Sequence, residues 1–371
     1  MPPIETESRK ALHELIGYLR EADERWAGEA YGADTPARVA ESHRALMHMV
    51  QGGLVSWFED DVRDPLFRRI VSPSRKFTGD NADAIYYDCA ISSDYSYRVS
   101  GCMAGAQYVS ITVEKGTSEG HFSTGTAGVL NDTMFDVDEG GNFELFLGGP
   151  ERERNWIPLD PEASRLTTRH YIEQEVCSAA DRSLYVPMEI ECLDSDGPAP
   201  PPDDAEVAAG IRRVMNFAAA RTTARPPPSP DTPMPPFVSR TPNEFVAPVK
   251  PGEHAFAAFD AAYSQCRFEI RPDEALVITG RWPECRAGNI SLWTQHIQSF
   301  DYARRRVSLN RAQTQLGDDG RFEMVIAHED PGHPNWMDCE GRSEGTIFWR
   351  FMLPEGEIET PQARLVKLSE L

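Results

Sequence analysis

The sequence predicts a mainly β fold made of two similar halves, with helical segments attached. The repeat is indicated by residues 140–156 and 319–336, which each contain a Gly-containing turn, a strand pattern, a second Gly-containing loop and the pair Asn-Trp. Equivalent residues are spaced almost identically: Phe143 and Phe322 by 322 − 143 = 179 residues, Asn155 and Asn335 by 335 − 155 = 180. Short strand patterns separated by turns are typical of β-sandwiches and jelly rolls. The predicted fold is therefore two diverged β-sandwich or jelly-roll repeats.

Four segments follow from changes in the pattern along the chain: an N-terminal helical segment (1–65), a first β repeat (72–195), a helix with a Pro-rich linker (203–250) and a second β repeat (255–371). Apolar residues at helical spacing predict amphipathic helices in the first segment, the second of which begins at Thr35-Pro36. Asp203 predicts the start of a third helix. The Pro-rich stretch after it cannot pair inside a sheet and is expected to link the repeats.

The strand patterns of the two β segments match in order. In the first, strands are predicted at 84–91, 95–99 and 107–113, with a last strand near 166–172. In the second, the matching strands are predicted to open near 255–259 and to include 266–270, 275–280, 289–293 and 345–351. Alternation of apolar and polar residues in 95–99 and 108–113 favours antiparallel strands with one face in solvent.

Charge and cysteine content narrow the classes of function. The 371-residue chain has a formal charge of −22, from 37 Lys and Arg against 59 Asp and Glu, which argues against nucleic acid or an anionic membrane as a partner. Its seven cysteines are an odd number without C-x-x-C spacing, as expected for free thiols in a reducing compartment. With neither a secretory signal pattern nor a bilayer-spanning apolar stretch, the sequence predicts a cytoplasmic protein.

Three segments carry a resemblance to a known family: Asp80–Tyr86, Asp319–Phe322 and Asp330–Gly341. They resemble bacterial proteins that contain domain of unknown function 1214, over most of the second half and more weakly in the first. The resemblance implies a jelly-roll-like β fold beside helical segments. It implies no reaction and no catalytic residues, and Cys339-Glu340 departs from the small uncharged residues usual in that family.

The loop from His328 to His333 is the densest group of potential metal ligands, with Glu329 and Asp330 between the histidines. The H-x-x-x-x-H spacing matches no standard signature, and Pro331-Gly332 encodes a turn. We therefore assign no metal ligands, and the cofactor stays unknown. Because the first half keeps Asn-Trp without a histidine there, the Asn-Trp pair is expected to belong to the fold.

Residues that differ between the halves are better functional candidates: His296, His328, His333, Glu114, His121 and His170. Histidine suits acid–base catalysis when a carboxylate or carbonyl fixes its tautomer, although a lone histidine in a strand is more often structural. Arg169 and Arg350 fall in corresponding strands. An inward-pointing arginine there either pairs with a protein carboxylate or holds a ligand carboxylate.

The run from Asp80 to Tyr86 precedes the first strand and has no clear equivalent in the second half. Asp and Asn favour turns, which is the structural interpretation of this run. The functional interpretation places Asn81, Asp83 and Tyr86 in a cleft between the halves, where pockets tend to form. No serine-hydrolase elbow, Walker loop, dinucleotide fingerprint or H-E-x-x-H motif is present.

Three functional hypotheses follow. The first is an enzyme acting on a small molecule by His and carboxylate acid–base chemistry, with catalytic residues His328, Asp330, His296, Arg350 and Tyr87, and ligand-binding residues Asn81, Asp83, Tyr86, Arg169 and Trp293. The second is a non-catalytic glycan- or ligand-binding protein that uses an exposed Trp282 or Trp293. The third is a component of a homo-oligomer, with the N-terminal helices as the contact.

Overall fold

The structure is a computed structural model that describes residues 3–195, 197, 200–229, 231–251 and 260–371. It contains three α-helices: α1 (Glu7–Glu21), α2 (Pro36–Ser56) and α3 (Asp204–Ala220). The side chain of Thr35 caps α2, with Pro36 in its first turn, and Asp203 caps α3 in a capping box with Glu206. None of the described helices is both long and apolar enough to cross a bilayer.

The strands fall into two groups along the chain. The first half contains β1 (Arg68–Arg69), β2 (Ala84–Ala90), β3 (Tyr97–Cys102), β4 (Tyr108–Lys115), β5 (Gly125–Asn131), β6 (Asn142–Leu147), β7 (Trp156–Ile157), β8 (Ala163–Tyr171) and β9 (Met188–Cys192). The second half contains β10 (Ala261–Glu269), β11 (Glu274–Gly280), β12 (Ala287–Trp293), β13 (Ser308–Asn310), β14 (Phe322–Ala327), β15 (Trp336–Asp338), β16 (Glu344–Met352) and β17 (Gln362–Lys367).

The two halves have the same topology. In the first half, the strand order is β1-β2-β8-β4-β5 in one sheet and β7-β6-β3-β9 in the other. In the second half, the orders are β10-β16-β12-β13 and β15-β14-β11-β17. Apart from the short β1, each strand of the first half corresponds to the strand of the second half whose number is higher by eight, so that β2 corresponds to β10 and β9 to β17. The predicted mainly β fold of two similar halves with an N-terminal helical segment is confirmed.

Each half is a sandwich with its own core. In the first, Ile111 and Leu166 from one sheet pack against Leu145 from the other. In the second, Ile290 and Trp349 pack against the facing sheet in the same way. Alternation along each strand leaves the other face of these sheets free for a second layer of contacts.

A separate apolar cluster joins the two sandwiches. It contains Tyr86, Tyr108 and Tyr171 from the first half and Tyr263 and Phe348 from the second. The β1-β2-β8-β4-β5 sheet therefore faces the β10-β16-β12-β13 sheet across the middle of the molecule. We call these two the inner sheets and the other two the outer sheets.

The structure corrects several details of the sequence prediction. The strand near 166–172 was expected to be the last of its half, but β9 follows it, and β17 likewise follows β16. The third helix, which the sequence placed with the linker, packs on the N-terminal helical segment, and α3 completes the core of its two helices through Ala218. The predicted opening of the second half at 255–259 lies outside the described residues.

Candidate functional site: a cavity between the inner sheets

A cavity of about 970 Å³ lies between the inner sheets. Its floor and walls include Tyr86 and Arg169 from the first inner sheet and Tyr263, Phe348 and Arg350 from the second. Cavities that hold small molecules usually measure about 300 to 1,000 Å³ and combine an apolar lining with a few polar groups. This cavity is large enough for a small organic ligand.

The helices close one side of the cavity. Trp57, at the end of α2, and Phe217, on α3, both line it. The exposed His121 in the β4–β5 loop and the exposed Met234 in the Pro-rich segment also border the cavity. The helical and Pro-rich segments, which sequence analysis treated as an appendage and a linker, thus form part of the site.

Strand alternation decides which side chains reach the cavity. On β2, Tyr86 and Asp88 point into it, whereas Tyr87 points to the opposite face. The Tyr87 hydroxyl donates to the Val186 carbonyl at 3.1 Å, and the ring packs beside Phe67. Tyr87, predicted as a catalytic residue, therefore lies on the face of its strand that points away from the cavity.

The cavity contains two equivalent Tyr-Arg pairs. Tyr86 is opposite Arg169 in the β2–β8 ladder, and Tyr263 is opposite Arg350 in the β10–β16 ladder. Arg169 and Arg350 are each 5% exposed. The two arginines that sequence analysis matched thus lie at the same register position and line the same cavity.

Arg169 is neutralised by its own half of the protein. Its guanidinium donates to the Thr112 hydroxyl at 2.7 Å and lies 3.6 Å from a carboxylate oxygen of Glu114. Glu114 is 1% exposed, and burial raises the pKa of its carboxyl while the Arg169 charge opposes that rise. Of the two partners considered for such an arginine, a protein carboxylate or a ligand carboxylate, Arg169 therefore has the protein carboxylate.

Arg350 has a different set of partners. Its Nη2 donates to the carbonyl oxygens of Gly79 at 2.6 Å and Asp80 at 3.3 Å, and its guanidinium lies 4.6 Å from the Phe348 ring centre and 4.9 Å from the Trp293 ring centre. Its Nη1 has no hydrogen-bond partner among the described residues. Within that part of the chain, no carboxylate oxygen approaches its guanidinium within the 4.0 Å of an ion pair.

Asp80 attracts Arg350 from a longer distance. Burial raises the pKa of the Asp80 carboxyl, and the positive charges of Lys76 and, more weakly, Arg350 oppose that rise. The carboxylate oxygens of Asp80 accept hydrogen bonds from the backbone N–H and the hydroxyl of Ser299. Asp80 therefore balances part of the charge but leaves the Nη1 donors of Arg350 unsatisfied.

Tyrosine hydroxyls provide further polarity between the two arginines. Burial raises the pKa of both Tyr86 and Tyr171, and the positive charges of Arg169 and Arg350 oppose this rise in both. Both hydroxyls are therefore neutral near pH 7 and can donate hydrogen bonds. Donors surrounding an arginine form an environment that suits an anion.

A second ionic group lies farther along the first inner sheet. Arg165 forms ion pairs with Asp60 and, at 3.2 Å, with Asp88, and its guanidinium stacks 3.4 Å from the Trp57 ring centre. Burial raises the pKa of Asp88 to about 6. Asp88 is consequently a carboxyl in the cavity that titrates close to neutral pH.

The predicted catalytic residues His328 and Asp330 lie away from this cavity. His328 follows β14 in the second outer sheet, which is on the other side of the second core from the inner sheet. Asp330 is exposed and accepts a hydrogen bond from the Gly332 backbone N–H at 2.8 Å. These positions do not support their predicted joint role with Arg350.

His296 is also outside the cavity. Its Nε2 lies 3.0 Å from the Ser42 hydroxyl on α2, and its ring is 4.5 Å from the Trp26 ring. Burial lowers its pKa to about 4. The ring is therefore neutral at pH 7 and packs between the N-terminal helices and the second half, as expected for a structural histidine.

Asn81 and Asp83 link the two halves beside the cavity. Asp83 accepts hydrogen bonds from Asn289 at 2.9 Å, Asn310 at 3.0 Å and Ser308 at 3.1 Å, and Asn81 accepts from Asn289 at 2.5 Å. They border a separate space of about 10 Å³, the size of one water molecule. They thus lie between the halves, but they do not line the large cavity.

Trp293 lines the cavity, as predicted for a ligand-binding residue, but it is only 2% exposed. It stacks on Phe348 at 4.3 Å, and its indole N–H donates to the Asp80 carbonyl at 3.1 Å. Trp282 packs among Phe322, Trp349 and Phe351. The hypothesis of an exposed tryptophan platform was therefore wrong for Trp293 and is not supported at Trp282.

The residues of the His328–His333 loop do not converge on a common point. The His333 Nδ1 accepts from the Asn335 backbone N–H at 3.2 Å, and its Nε2 lies 3.6 Å from Glu323. Within the ranges that the structure describes, no three His, Cys, Asp or Glu side chains are arranged to hold a metal ion.

Sequence reasoning missed Asp88, Arg165, Tyr171 and Tyr263 as lining residues of the cavity. A usable signal was present, because Tyr86 and Asp88 share one face of β2 and Tyr263 is the counterpart of Tyr86. Applying strand alternation to the matched strands would have grouped these residues with Arg169 and Arg350.

The fold and the site define a double β-sandwich protein with an arginine- and tyrosine-lined cavity between its inner sheets. The same fold is found in a crystal structure of an uncharacterized protein from Burkholderia cenocepacia, with a TM-score of 0.82 and 23% sequence identity over 97% of this chain and 98% of that one. A crystal structure of a protein from Vibrio parahaemolyticus is less similar, with a TM-score of 0.51 and 11% sequence identity over 88% of this chain and 98% of that one. No protein-family model and no curated protein sequence matches the chain.

Proposed function

We propose that the protein binds a small organic carboxylate in the cavity between the inner sheets. The observation that carries this proposal is Arg350, a 5% exposed guanidinium with an unsatisfied Nη1 and no carboxylate in ion-pair contact among the described residues. A buried charge without a counter-charge is unfavourable, and a ligand carboxylate would supply both the charge and the hydrogen-bond acceptor.

The rest of the lining supports an apolar or aromatic ligand body. Rings of Phe77, Phe217, Phe237, Trp293 and Phe348 all border the cavity. Burying apolar surface against such side chains contributes roughly 25 cal/mol per Å² removed from water. The carboxylate would orient the ligand at Arg350, and the aromatic lining would provide most of the affinity.

Matched pairs of ligands test this proposal. Calorimetric titration should detect hexanoate and para-toluate but not their uncharged primary amides, hexanamide and para-toluamide. Arg350→Met should weaken carboxylate binding by about tenfold to a hundredfold, the usual contribution of a hydrogen-bonded charge. Arg304→Met, at a side chain that is 81% exposed, provides the matched control and should bind normally. Equal affinity for acid and amide, or full binding by Arg350→Met, would contradict the proposal.

Asp88 favours a second candidate function, acid–base catalysis on the bound ligand. It lines the cavity, and its pKa of about 6 allows a carboxyl to accept or donate a proton near neutral pH. The proposed catalytic carboxylate is thus Asp88 in place of Asp330. If a bound carboxylate is turned over, Asp88→Asn should keep the ligand affinity and lower kcat by about a hundredfold or more. Unchanged turnover in that variant would exclude this role.

Two further proposals concern origin and location. We propose that the halves arose by internal duplication, which is supported by their common strand order. We also propose shared ancestry with proteins that carry domain of unknown function 1214, on the resemblance of Asp80–Tyr86, Asp319–Phe322 and Asp330–Gly341. We also propose a cytoplasmic location, since all seven cysteines are free thiols. Fluorescence microscopy of a tagged chain in the cells that express it would test the location.

A further inference from the structure

The register of the inner sheets identifies the counterpart of each cavity residue. Arg169 is opposite Ser110 in the β4–β8 ladder, and Arg350 is opposite Asn289 in the β12–β16 ladder. Four positions after Ser110 stands Glu114, and four positions after Asn289 stands Trp293. The carboxylate that neutralises Arg169 is therefore replaced, in the second half, by an indole ring beside Arg350.

The same exchange occurs on the arginine-bearing strands. Two positions before Arg169 is Thr167, whereas two positions before Arg350 is Phe348. Thus Arg169 is surrounded by polar groups of its own half, and Arg350 lies between two aromatic rings that offer no negative charge. The two pairs are equivalent in position, but among the described residues only the Arg169 guanidinium has a carboxylate within ion-pair distance.

We propose that Glu114 occupies the place that a second ligand anion would take at Arg169, so that the cavity selects ligands with one anionic group over those with two. This inference rests on the proposed function and specifies its ligand class. A second carboxylate would meet a neutralised arginine and the nearby negative charge of Glu114. Like charges placed together without water are strongly unfavourable.

The selectivity can be measured with ligand pairs of the same shape. Hexanoate and hexanedioate differ by a terminal carboxylate, as do para-toluate and terephthalate. In calorimetric titrations at pH 7.5 of the full chain, each monoanion should bind at least about tenfold more tightly than its dianion. Glu114→Gln, which frees Arg169 and removes the repulsion, should reduce that ratio by about tenfold or invert it. Gln is close to Glu in shape, and the Thr112 hydroxyl still accepts from Arg169.

Exposed Glu144, in the first outer sheet, gives the control. Glu144→Gln should leave the ratio unchanged. Equal or tighter binding of the dianions by the unmodified protein would overturn the inference while leaving the proposed function intact, provided that Arg350→Met weakens carboxylate binding by about tenfold or more. Failure of every carboxylate to bind would instead overturn the proposed function itself. If Glu114→Gln does not fold, the ratio in the unmodified protein still decides the outcome.

Discussion

Arg169 and Arg350 show how one register position can serve two purposes. Both were predicted from sequence as inward-pointing arginines, and two interpretations were left open. The structure pairs Arg169 with Glu114, and it leaves Arg350 with backbone carbonyls and aromatic rings. Sequence could not separate these outcomes, because the deciding residue comes from a neighbouring strand, as Glu114 in the first half and Trp293 in the second.

The different surroundings predict different costs of removing each arginine. Arg169→Met should lower the free energy of unfolding by about 3 kcal/mol, because Glu114 would remain buried without its partner. Arg350→Met should change it by no more than about 1 kcal/mol, since relief of a buried charge opposes the loss of two hydrogen bonds to carbonyls. Urea unfolding at pH 7 measures both values. Equal losses would show that Arg350 is as well compensated as Arg169.

Asp88 predicts a pH dependence of stability. Its pKa is raised from 3.8 to about 6 by burial, so between about pH 4 and pH 6 the folded protein holds a proton that the unfolded chain has released. Its contribution to stability is therefore greatest below pH 4 and falls by about 3 kcal/mol as the pH rises to 6.

Asp88→Asn should remove this dependence. Urea unfolding of the variant and the unmodified protein at pH 4, 5, 6 and 7 gives the difference between their free energies of unfolding. We expect that difference to move in favour of Asp88→Asn by about 3 kcal/mol between pH 4 and pH 7. A difference that does not change with pH would mean that Asp88 titrates normally in the folded protein.

At the scale of elements, the repeated sequence pattern of the two halves was the most reliable indication of the fold. Phe143 and Phe322 lie opposite Gly101 and Gly280 in equivalent ladders. The side chains of Asn155 and Asn335 accept equivalent backbone hydrogen bonds, from Asp136 and from Gln315. The Asn-Trp pair belongs to the fold in both halves, as the sequence predicted.

Other strands could not be found in this way. The Gly125–Asn131 strand contains two glycines and no buried apolar run, and Gln362–Lys367 is largely exposed. Neither strand has the apolar pattern by which strands are detected in a sequence. Each is a strand because its backbone hydrogen-bonds to a neighbouring strand, and not because its side chains are buried. The position of β9 and β17 as edge strands explains why the preceding strands were taken as the last.

The glycines opposite the phenylalanines give a prediction for these elements. A Cβ at Gly280 would stand 2.7 Å from the Phe322 ring, so Gly280→Ala should lower the free energy of unfolding by about 2 kcal/mol through overpacking. Gly125→Ala is the control, because no atom lies within 4 Å of the corresponding Cβ. Adding Phe322→Leu to Gly280→Ala should recover part of the loss. Chemical denaturation compares the four proteins, and equal stability of both alanine variants would disprove the steric explanation.

At the scale of the whole molecule, the two sandwiches are joined by buried polar contacts as well as by the aromatic cluster. Asp83 accepts from Asn289 and Asn310, and Asp260 accepts from Tyr108 at 2.7 Å. Arg311 donates to Glu173 at 2.6 Å. Sequence predicted a cleft between the halves, but not these links, since they join segments roughly 140 to 230 residues apart and depend on the tertiary arrangement.

These links predict that the two halves unfold together, although each has its own core. Hydrogen exchange followed by mass spectrometry should give the same opening free energy for Asn142–Leu147 and Phe322–Ala327, the equivalent strands of the two outer sheets. Asp83→Ala removes one buried acceptor from the amide groups of Asn289 and Asn310 and from the Ser308 hydroxyl, and each donor left unsatisfied costs about 1 to 3 kcal/mol. In this variant the two strands should exchange at different rates, because one sandwich can open while the other stays folded.

The control is Asp94→Ala, at an exposed turn residue that bonds Ser92, and it should preserve the common exchange rate. Different rates in the unmodified protein would show instead that the halves are independent, and the cavity between them would then open without global unfolding.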